Sequence, residues 1–144
     1  MDIGSNICRS LLCKSLFSII KKHGVKYQFG SSPGVGCQDG TFPIKTLLHT
    51  RQNHDLPTYV AFVDLVKEFD TVDHTLMLHI LKKYGAPMKL RSSIARMYQD
   101  LKVVLKIEKT KDTMSQIVGV RQGDCMAPVL FLFMVMAFAE TLEK

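Results

Sequence analysis

The chain has 144 residues, of which 47% are hydrophobic and 22% are charged. These proportions are typical of one folded globular domain or part of one, and they exclude an intrinsically disordered protein. The formal net charge of +6 favours a polyanionic partner such as nucleic acid, although the lysines are scattered and form no basic tract.

Helical spacing of apolar residues, capping residues and β-branched runs predict eight elements along the chain. In order they are helices over 7–23 and 41–53, a strand over 58–65, helices over 74–84 and 89–100, strands over 101–108 and 113–120, and a helix over 129–143. Pro43 places the start of the second helix near Phe42, and Asp73 is the expected N-cap of the third. This order predicts an α+β fold in which helices pack on one face of a small antiparallel sheet.

The cysteines and the hydropathy of the chain indicate where such a protein works. The chain has four cysteines: Cys8, Cys13, Cys37 and Cys125. No two of them have CxxC spacing, and no histidine has the sequence spacing that would complete a zinc site with a second pair of ligands. We therefore expect reduced thiols in an intracellular protein, with nucleus and cytoplasm not distinguished. The most apolar stretch, Ala127–Ala139, is shorter than the about 20 residues of a membrane span and predicts a core helix.

A single carboxylate interrupts the apolar stretch YVAFVDLVKEF, residues Tyr59–Phe69. Asp64 lies near the C-terminal end of the predicted strand, where it can face a cleft while its neighbours stay buried. Carboxylate oxygens are the ligands that Mg²⁺ prefers, but an ordinary aspartate at a strand end is the competing interpretation. Val66 occupies the position where a haloacid-dehalogenase phosphatase needs its second aspartate, and the sequence contains no P-loop.

An aromatic residue near Asp64 and a glycine-containing loop later in the chain are two further candidates for ligand binding. Phe69 follows Asp64 by five residues, so its ring can contact a ligand held there or can be a core aromatic. In the stretch GVRQGDCMAP, Gly119–Pro128, two glycines bracket Arg121 and Gln122 just before a helix. Such a loop offers backbone N–H groups to an anion, or it is a plain turn with an aspartate as N-cap.

Three stretches match the motifs of one family, in the same order along the chain. QFGSSPGVGCQDG is similar to the motif Q-x-G-F-R-P-G-R-S-T-x-D, and YVAFVDLVKEFDTVDH is similar to A-F-x-D-L-x-K-A-F-D-x-V-x-H. GVRQGDCMAPVLFLFMV is similar to G-V-x-Q-G-x-x-L-S-P-x-L-F. The chain therefore resembles the reverse transcriptases of non-long-terminal-repeat retrotransposons. The resemblance implies that residues 1–144 are a partial reverse transcriptase domain containing the fingers and the first part of the palm.

The resemblance also implies a role for each matching residue. Asp64 would be the first of the aspartates that hold two Mg²⁺ ions for nucleotidyl transfer. Phe69 would be the steric gate that selects deoxynucleotides, and Gln122 and Gly123 would contact the incoming nucleotide and the template. The implied activity is RNA-directed DNA synthesis, with an RNA template, a DNA primer and deoxynucleoside triphosphates as partners.

The chain departs from the family pattern at several positions. Ser32 and Val35 replace arginines that would clamp a triphosphate, Glu68 replaces a small alanine beside the gate, and Ala127 replaces a serine. The 144 residues contain no Phe/Tyr-x-Asp-Asp tetrapeptide, which supplies the other metal ligands in the family, and we expect the thumb to be missing as well. One carboxylate cannot hold two Mg²⁺ ions in a working geometry, so we expect the isolated chain to be inactive as a polymerase.

Two alternative interpretations remain open at this point. The first is a non-catalytic module that binds nucleic acid or another protein. The second is a decayed element without function, in which the palm surface left exposed favours self-association.

Overall fold

Helices form most of the regular structure in the computed structural model, which describes residues 3–23, 28–32, 34–99, 102–107, 110–120 and 123–142. The elements are α1 (Ile3–His23), α2 (Cys37–Asn53), α3 (His74–Lys83), α4 (Met88–Tyr98), β1 (Lys102–Ile107), β2 (Thr110–Ser115) and α5 (Met126–Leu142). They divide between two compact units. The larger unit contains Met1–Gly24 and Lys67–Lys144, and the smaller unit contains Val25–Val66.

The core of the larger unit lies where α5 packs against α1 and α3, with α4 packed on α3. Its fully buried side chains include Leu16, Met77, Leu81, Ile94 and Phe133. Burial of each such side chain stabilises the fold by about 1.5–3 kcal/mol. Most of α5 is apolar on every side, as a helix with neighbours around it requires. None of the described helices combines the length and the hydropathy that a membrane span needs.

The ends of α3 are set by local chemistry that the sequence predicts correctly. The side chain of Asp73 accepts a hydrogen bond from the backbone N–H of Leu76 at 2.7 Å, which confirms Asp73 as the N-cap. The helix ends before Gly85, which has a positive φ of 78°. Such a conformation suits glycine, and Pro87 then begins the turn into α4.

The two strands form one antiparallel hairpin, with Lys102 opposite Ser115 and Ile107 opposite Thr110. The second strand begins three residues before the predicted Thr113. The helix contacts that build the core join α1 to α5 and α3 to α4 and α5. The predicted packing of helices on a sheet is therefore not confirmed, since the described residues contain a two-stranded ribbon, which offers little surface for a core.

In the smaller unit, α2 begins at Cys37 and not near Phe42 as predicted. The reason is a cap that the sequence analysis missed: the Asp39 carboxylate accepts a hydrogen bond from the N–H of Gly36 at 2.7 Å. Pro43 consequently lies inside the helix, where it leaves one backbone carbonyl without its helical donor. None of the described side chains of α2 is buried.

The predicted strand over Thr58–Leu65 is not formed, because residues 56–65 have no regular secondary structure. A strand needs a neighbouring strand for its backbone N–H and C=O groups, and no described residue pairs with this stretch. Tyr59 and Phe62 are 95% and 92% exposed. Residues 56–66, called the apolar segment below, thus combine the composition of a buried strand with an exposed backbone that pairs with no described strand.

Candidate functional site

The turn that carries Phe69 is held by backbone hydrogen bonds to a loop about 50 residues later. Lys67 has a positive φ of 52°, and its carbonyl accepts the N–H of Asp70 at 2.9 Å. The carbonyl of Phe69 accepts the N–H of Val120 at 2.7 Å. This places the half-buried Phe69 beside the predicted ligand-binding loop.

Gly119 is the residue that allows this close approach. It has a φ of 87°, and a Cβ atom at this position would lie 2.7 Å from the backbone oxygen of Asp70. Its N–H donates to the carbonyl of Val72 at 2.8 Å, and its own carbonyl lies 2.7 Å from Nε2 of His74. The His74 ring therefore donates from Nε2 to a backbone oxygen, and it has no free nitrogen at that position for a metal.

Phe69 and Gly123, two of the predicted site residues, line the same cavity. The cavity has a volume of about 560 Å³ and is lined by Phe69, Gly123, Asp124, Cys125, Ala127 and Pro128. The Phe69 ring packs against Phe131 of α5, with ring centroids 5.1 Å apart. The cavity lining thus combines an aromatic ring packed on α5 with the loop before that helix.

Asp124 has a structural role in the floor of this cavity. One carboxylate oxygen accepts the N–H of Met126 at 3.1 Å and caps α5, which confirms the plain structural interpretation of this aspartate. The other lies 3.5 Å from Nε of Arg9, and the two side chains are only 6% and 8% exposed. A buried pair of this kind fixes α1 against the loop, because separating it would leave a charge without water.

Arg9 is a part of the site that the motifs do not predict, although its spacing from other residues of α1 indicates burial. Arg9 precedes Cys13, Leu16 and Ile20 by four, seven and eleven residues, which is the spacing of one helix face. All four residues are buried. A basic residue on an otherwise apolar face indicates a buried acidic partner elsewhere in the chain.

A second contact between the same two segments joins two cysteines. The Cys13 thiol donates to Sγ of Cys125 over 3.7 Å. Burial, followed by the hydrogen bond and the charge of Cys125, raises the pKa of Cys13 to about 12. Both residues are free thiols in the structure, with Cys13 buried and Cys125 exposed.

Asp64 lies in the smaller unit, exposed, within the apolar segment. Among the described residues, no group of three or more histidine, cysteine or acidic side chains is placed to hold a metal ion. Because Mg²⁺ is usually held by one or two carboxylates together with waters and phosphates, Asp64 can supply one of its oxygen ligands. Gln122 lies outside the described residues.

The positions that depart from the family motifs are also placed by the structure. Ser32 is half-buried and Val35 is exposed in the smaller unit, and neither side chain can provide the bidentate contact of an arginine. Glu68 is half-buried in the larger unit, and Ala127 is buried at the start of α5. A serine at position 127 would place a hydroxyl group where the buried methyl group of Ala127 lies.

Comparison with known proteins identifies the family. Residues 6–144 match the family described as "Reverse transcriptase (RNA-dependent DNA polymerase)". The Retrovirus-related Pol polyprotein from type-1 retrotransposable element R2 of Nasonia vitripennis is 38% identical over 74 residues, which are 51% of this chain and 7% of that protein. The polyprotein from type-2 retrotransposable element R2DM of Drosophila melanogaster is 28% identical over 118 residues, 81% of this chain and 11% of that protein.

A third relative, the Pol polyprotein from type-1 retrotransposable element R2 of Bradysia coprophila, is 32% identical over 51% of this chain and 8% of that protein. The chain thus spans between 7% and 11% of the length of these relatives. No solved structure matches the chain significantly. Because the family match covers nearly the whole chain, the chain belongs to the reverse transcriptase (RNA-dependent DNA polymerase) family.

Proposed function

We propose that residues 1–144 form the fingers and the first part of the palm of a reverse transcriptase, whose activity is RNA-directed DNA synthesis by two-metal nucleotidyl transfer. The partners would be an RNA template, a DNA primer and deoxynucleoside triphosphates. The observation that carries this proposal is the cavity of about 560 Å³ that Phe69 and Gly123 share. The cavity is lined by Phe69, at the position of the family's gate, and by Gly123 of its Gln-Gly motif.

The walls of this cavity suit the selection of a sugar. Phe69 is held on one side by the ring of Phe131 and through its carbonyl by Val120, so the ring cannot move aside at low cost. A 2′-hydroxyl that enters beside a fixed ring meets a steric clash, whereas a 2′-hydrogen does not. Phe69 thus acts as the gate, while Gln122 and Gly123 contact the incoming nucleotide and the template strand.

The test is discrimination between deoxynucleoside and ribonucleoside triphosphates by the full chain. We expect a fluorescent deoxynucleotide to bind at least about tenfold more tightly than its ribonucleotide counterpart. Phe69→Ala should bring this ratio close to one, while Phe138→Ala, which removes an exposed ring from α5, should leave it unchanged. Equal affinities for the two sugars in the unsubstituted chain would contradict the proposed gate.

Asp64 is proposed as the first metal-binding carboxylate of the complete family site. When bound there, the two Mg²⁺ ions would activate the primer hydroxyl and stabilise the leaving pyrophosphate. The described residues do not supply the remaining ligands, so we propose that the isolated chain does not extend primers. Primer extension with an RNA template and Mg²⁺ tests this. Synthesis that disappears in Asp64→Asn would show that the chain is active by itself.

A specific surface favours nucleic-acid binding without catalysis as the second candidate function. A groove of about 600 Å³ in the larger unit is lined by residues of α1, including Lys22 and His23, and by Lys89 at the start of α4. Two ammonium groups beside one groove can contact phosphates of a nucleic-acid backbone. We expect Lys22→Gln to reduce the salt dependence of RNA binding by about one phosphate contact, and Lys14→Gln, exposed on the same helix, to leave it unchanged.

A further inference from the structure

Two side chains on neighbouring turns of α1 contact the loop before α5. Arg9 and Cys13 are four residues apart on one helix face, and they contact the consecutive residues Asp124 and Cys125. The buried ion pair, with side chains 8% and 6% exposed, fixes the separation of the two segments. The two sulfur atoms, from residues 112 positions apart, are thereby held 3.7 Å from each other.

The two thiols differ in their access to solvent. Cys125 is exposed and lines the cavity that contains Phe69 and Gly123, whereas Cys13 is only 7% exposed. Burial raises the pKa of Cys13, so the thiolate that reacts with an oxidant is even scarcer there than in an ordinary thiol. A dissolved oxidant therefore meets Cys125 first, with a second sulfur already in contact behind it. An exposed thiol beside a partner thiol is the arrangement in which oxidation stops at a disulfide.

We propose that Cys13 and Cys125 form a reversible disulfide when the protein meets hydrogen peroxide. In the first step Cys125 Sγ, as the thiolate, attacks one peroxide oxygen. An S–O bond forms, the O–O bond breaks, and the departing oxygen leaves as water once protonated. In the second step Cys13 Sγ attacks the sulfenic acid of Cys125, so that the S–S bond forms, the S–O bond breaks, and the proton of Cys13 leaves with the hydroxyl as a second water.

The balance is two thiols oxidised by two electrons and one peroxide reduced to two waters. A dithiol reductant reverses the reaction. The sulfur atoms must move closer by about 1.7 Å, since an S–S bond is about 2.0 Å long. The cross-link would tie α1 covalently to the wall of the cavity, so that the cavity responds to the redox state. This inference does not depend on the proposed nucleotide binding.

The first test is peptide mapping without reduction after treatment of the full, folded chain with hydrogen peroxide. We expect free thiols to fall from four to two and a Cys13–Cys125 peptide to appear. Cys8 and Cys37, which are also exposed, should remain available to an alkylating reagent and serve as internal controls. Sulfinic acid on Cys125 without the cross-linked peptide, or a cross-link between two chains as the main product, would refute the proposal.

The second test is thermal and uses the same protein. Closing a loop of 112 residues should raise Tm by about 5 °C or more, and a dithiol should return it to the starting value. Cys125→Ser should lose both the cross-link and the shift, whereas Cys37→Ser should keep both. If Cys125→Ser fails to fold, the mapping of the unsubstituted chain still decides. A shift that persists in a folded Cys125→Ser would contradict the assignment.

Discussion

At the scale of single residues, Gly119 controls how closely two distant parts of the site approach each other. It shares a positive φ with Gly85, at 87° and 78°, and both lie in the larger unit. They differ in their surroundings, because a Cβ on Gly119 would lie 2.7 Å from the oxygen of Asp70, whereas nothing lies within 4 Å of one on Gly85. Alanine substitutions at these two glycines therefore distinguish the cost of a steric clash from the cost of backbone strain.

We expect Gly119→Ala to destabilise the chain by about 2–4 kcal/mol, since strain from the left-handed backbone adds to a clash with a backbone atom. Gly85→Ala carries the strain alone and should cost about 1–2 kcal/mol. Urea unfolding of both variants, followed by circular dichroism, measures the difference. Equal costs would show that the turn at Asp70 moves freely, and the close approach would then not position Phe69.

The sequence shows the chemical role of a residue more readily than it shows which residue contacts it. The motif containing Gly119 was recognised, but the reason for the glycine is the backbone of Asp70, which local spacing cannot show. Arg9 is the converse case, since its spacing with Leu16 and Ile20 indicated burial, while the identity of its partner Asp124 required the fold. The shared cavity of Phe69 and Gly123 likewise depends on long-range packing.

At the scale of elements, α3 is joined to α5 by one buried and one exposed polar contact. The hydroxyl of the buried Tyr84, at the end of α3, donates to the Glu140 carboxylate of α5 at 2.6 Å. Lys83 forms an ion pair with the same carboxylate, but both of these side chains are largely exposed. Burial, and then the hydrogen bond to Glu140, raises the pKa of Tyr84.

We expect Tyr84→Phe to cost about 1–2 kcal/mol at pH 7, because a part-buried hydrogen bond to a carboxylate is lost, and Lys83→Met to cost less than about 1 kcal/mol. Since the pKa of Tyr84 is raised on folding, its contribution is complete below the ordinary phenol value of about 10 and is lost as the pH rises above it. The stability difference between the unsubstituted chain and Tyr84→Phe should therefore narrow above pH 10. Urea unfolding at pH 7 and pH 10.5 measures this, and a constant difference would contradict the role assigned to the hydroxyl.

Elements with local signals were predicted well, and those that depend on distant partners were not. The apolar spacing and Asp73 cap of α3 gave its start correctly, because both act within one or two helical turns. The strand expected over Thr58–Leu65 failed for the opposite reason, since β-branched composition cannot supply the neighbouring strand. In α2 the hydrogen bond from the N–H of Gly36 to the Asp39 carboxylate sets the start of the helix. The helix therefore begins several residues earlier than Pro43 indicated.

At the scale of the whole molecule, the apolar segment determines how separate copies of the chain behave. Tyr59, Phe62 and Val66 are 95%, 92% and 81% exposed, and no described residue forms a strand with this stretch. A β-branched and aromatic stretch that lacks a strand partner can pair with the same stretch of another chain. We therefore expect the isolated chain to self-associate through residues 56–66.

The expected result is a sedimentation coefficient that rises with protein concentration. The double substitution Tyr59→Ser and Phe62→Ser should weaken this association at least about tenfold, because it removes two aromatic rings from the contact. Phe138→Ser, which removes an exposed ring from α5, is the matched control and should not change it. A chain that stays monomeric at all concentrations would show that the apolar segment is covered in solution. Association that survives the double substitution would place the contact elsewhere, and the groove beside Lys22 and Lys89 would be the next surface to test.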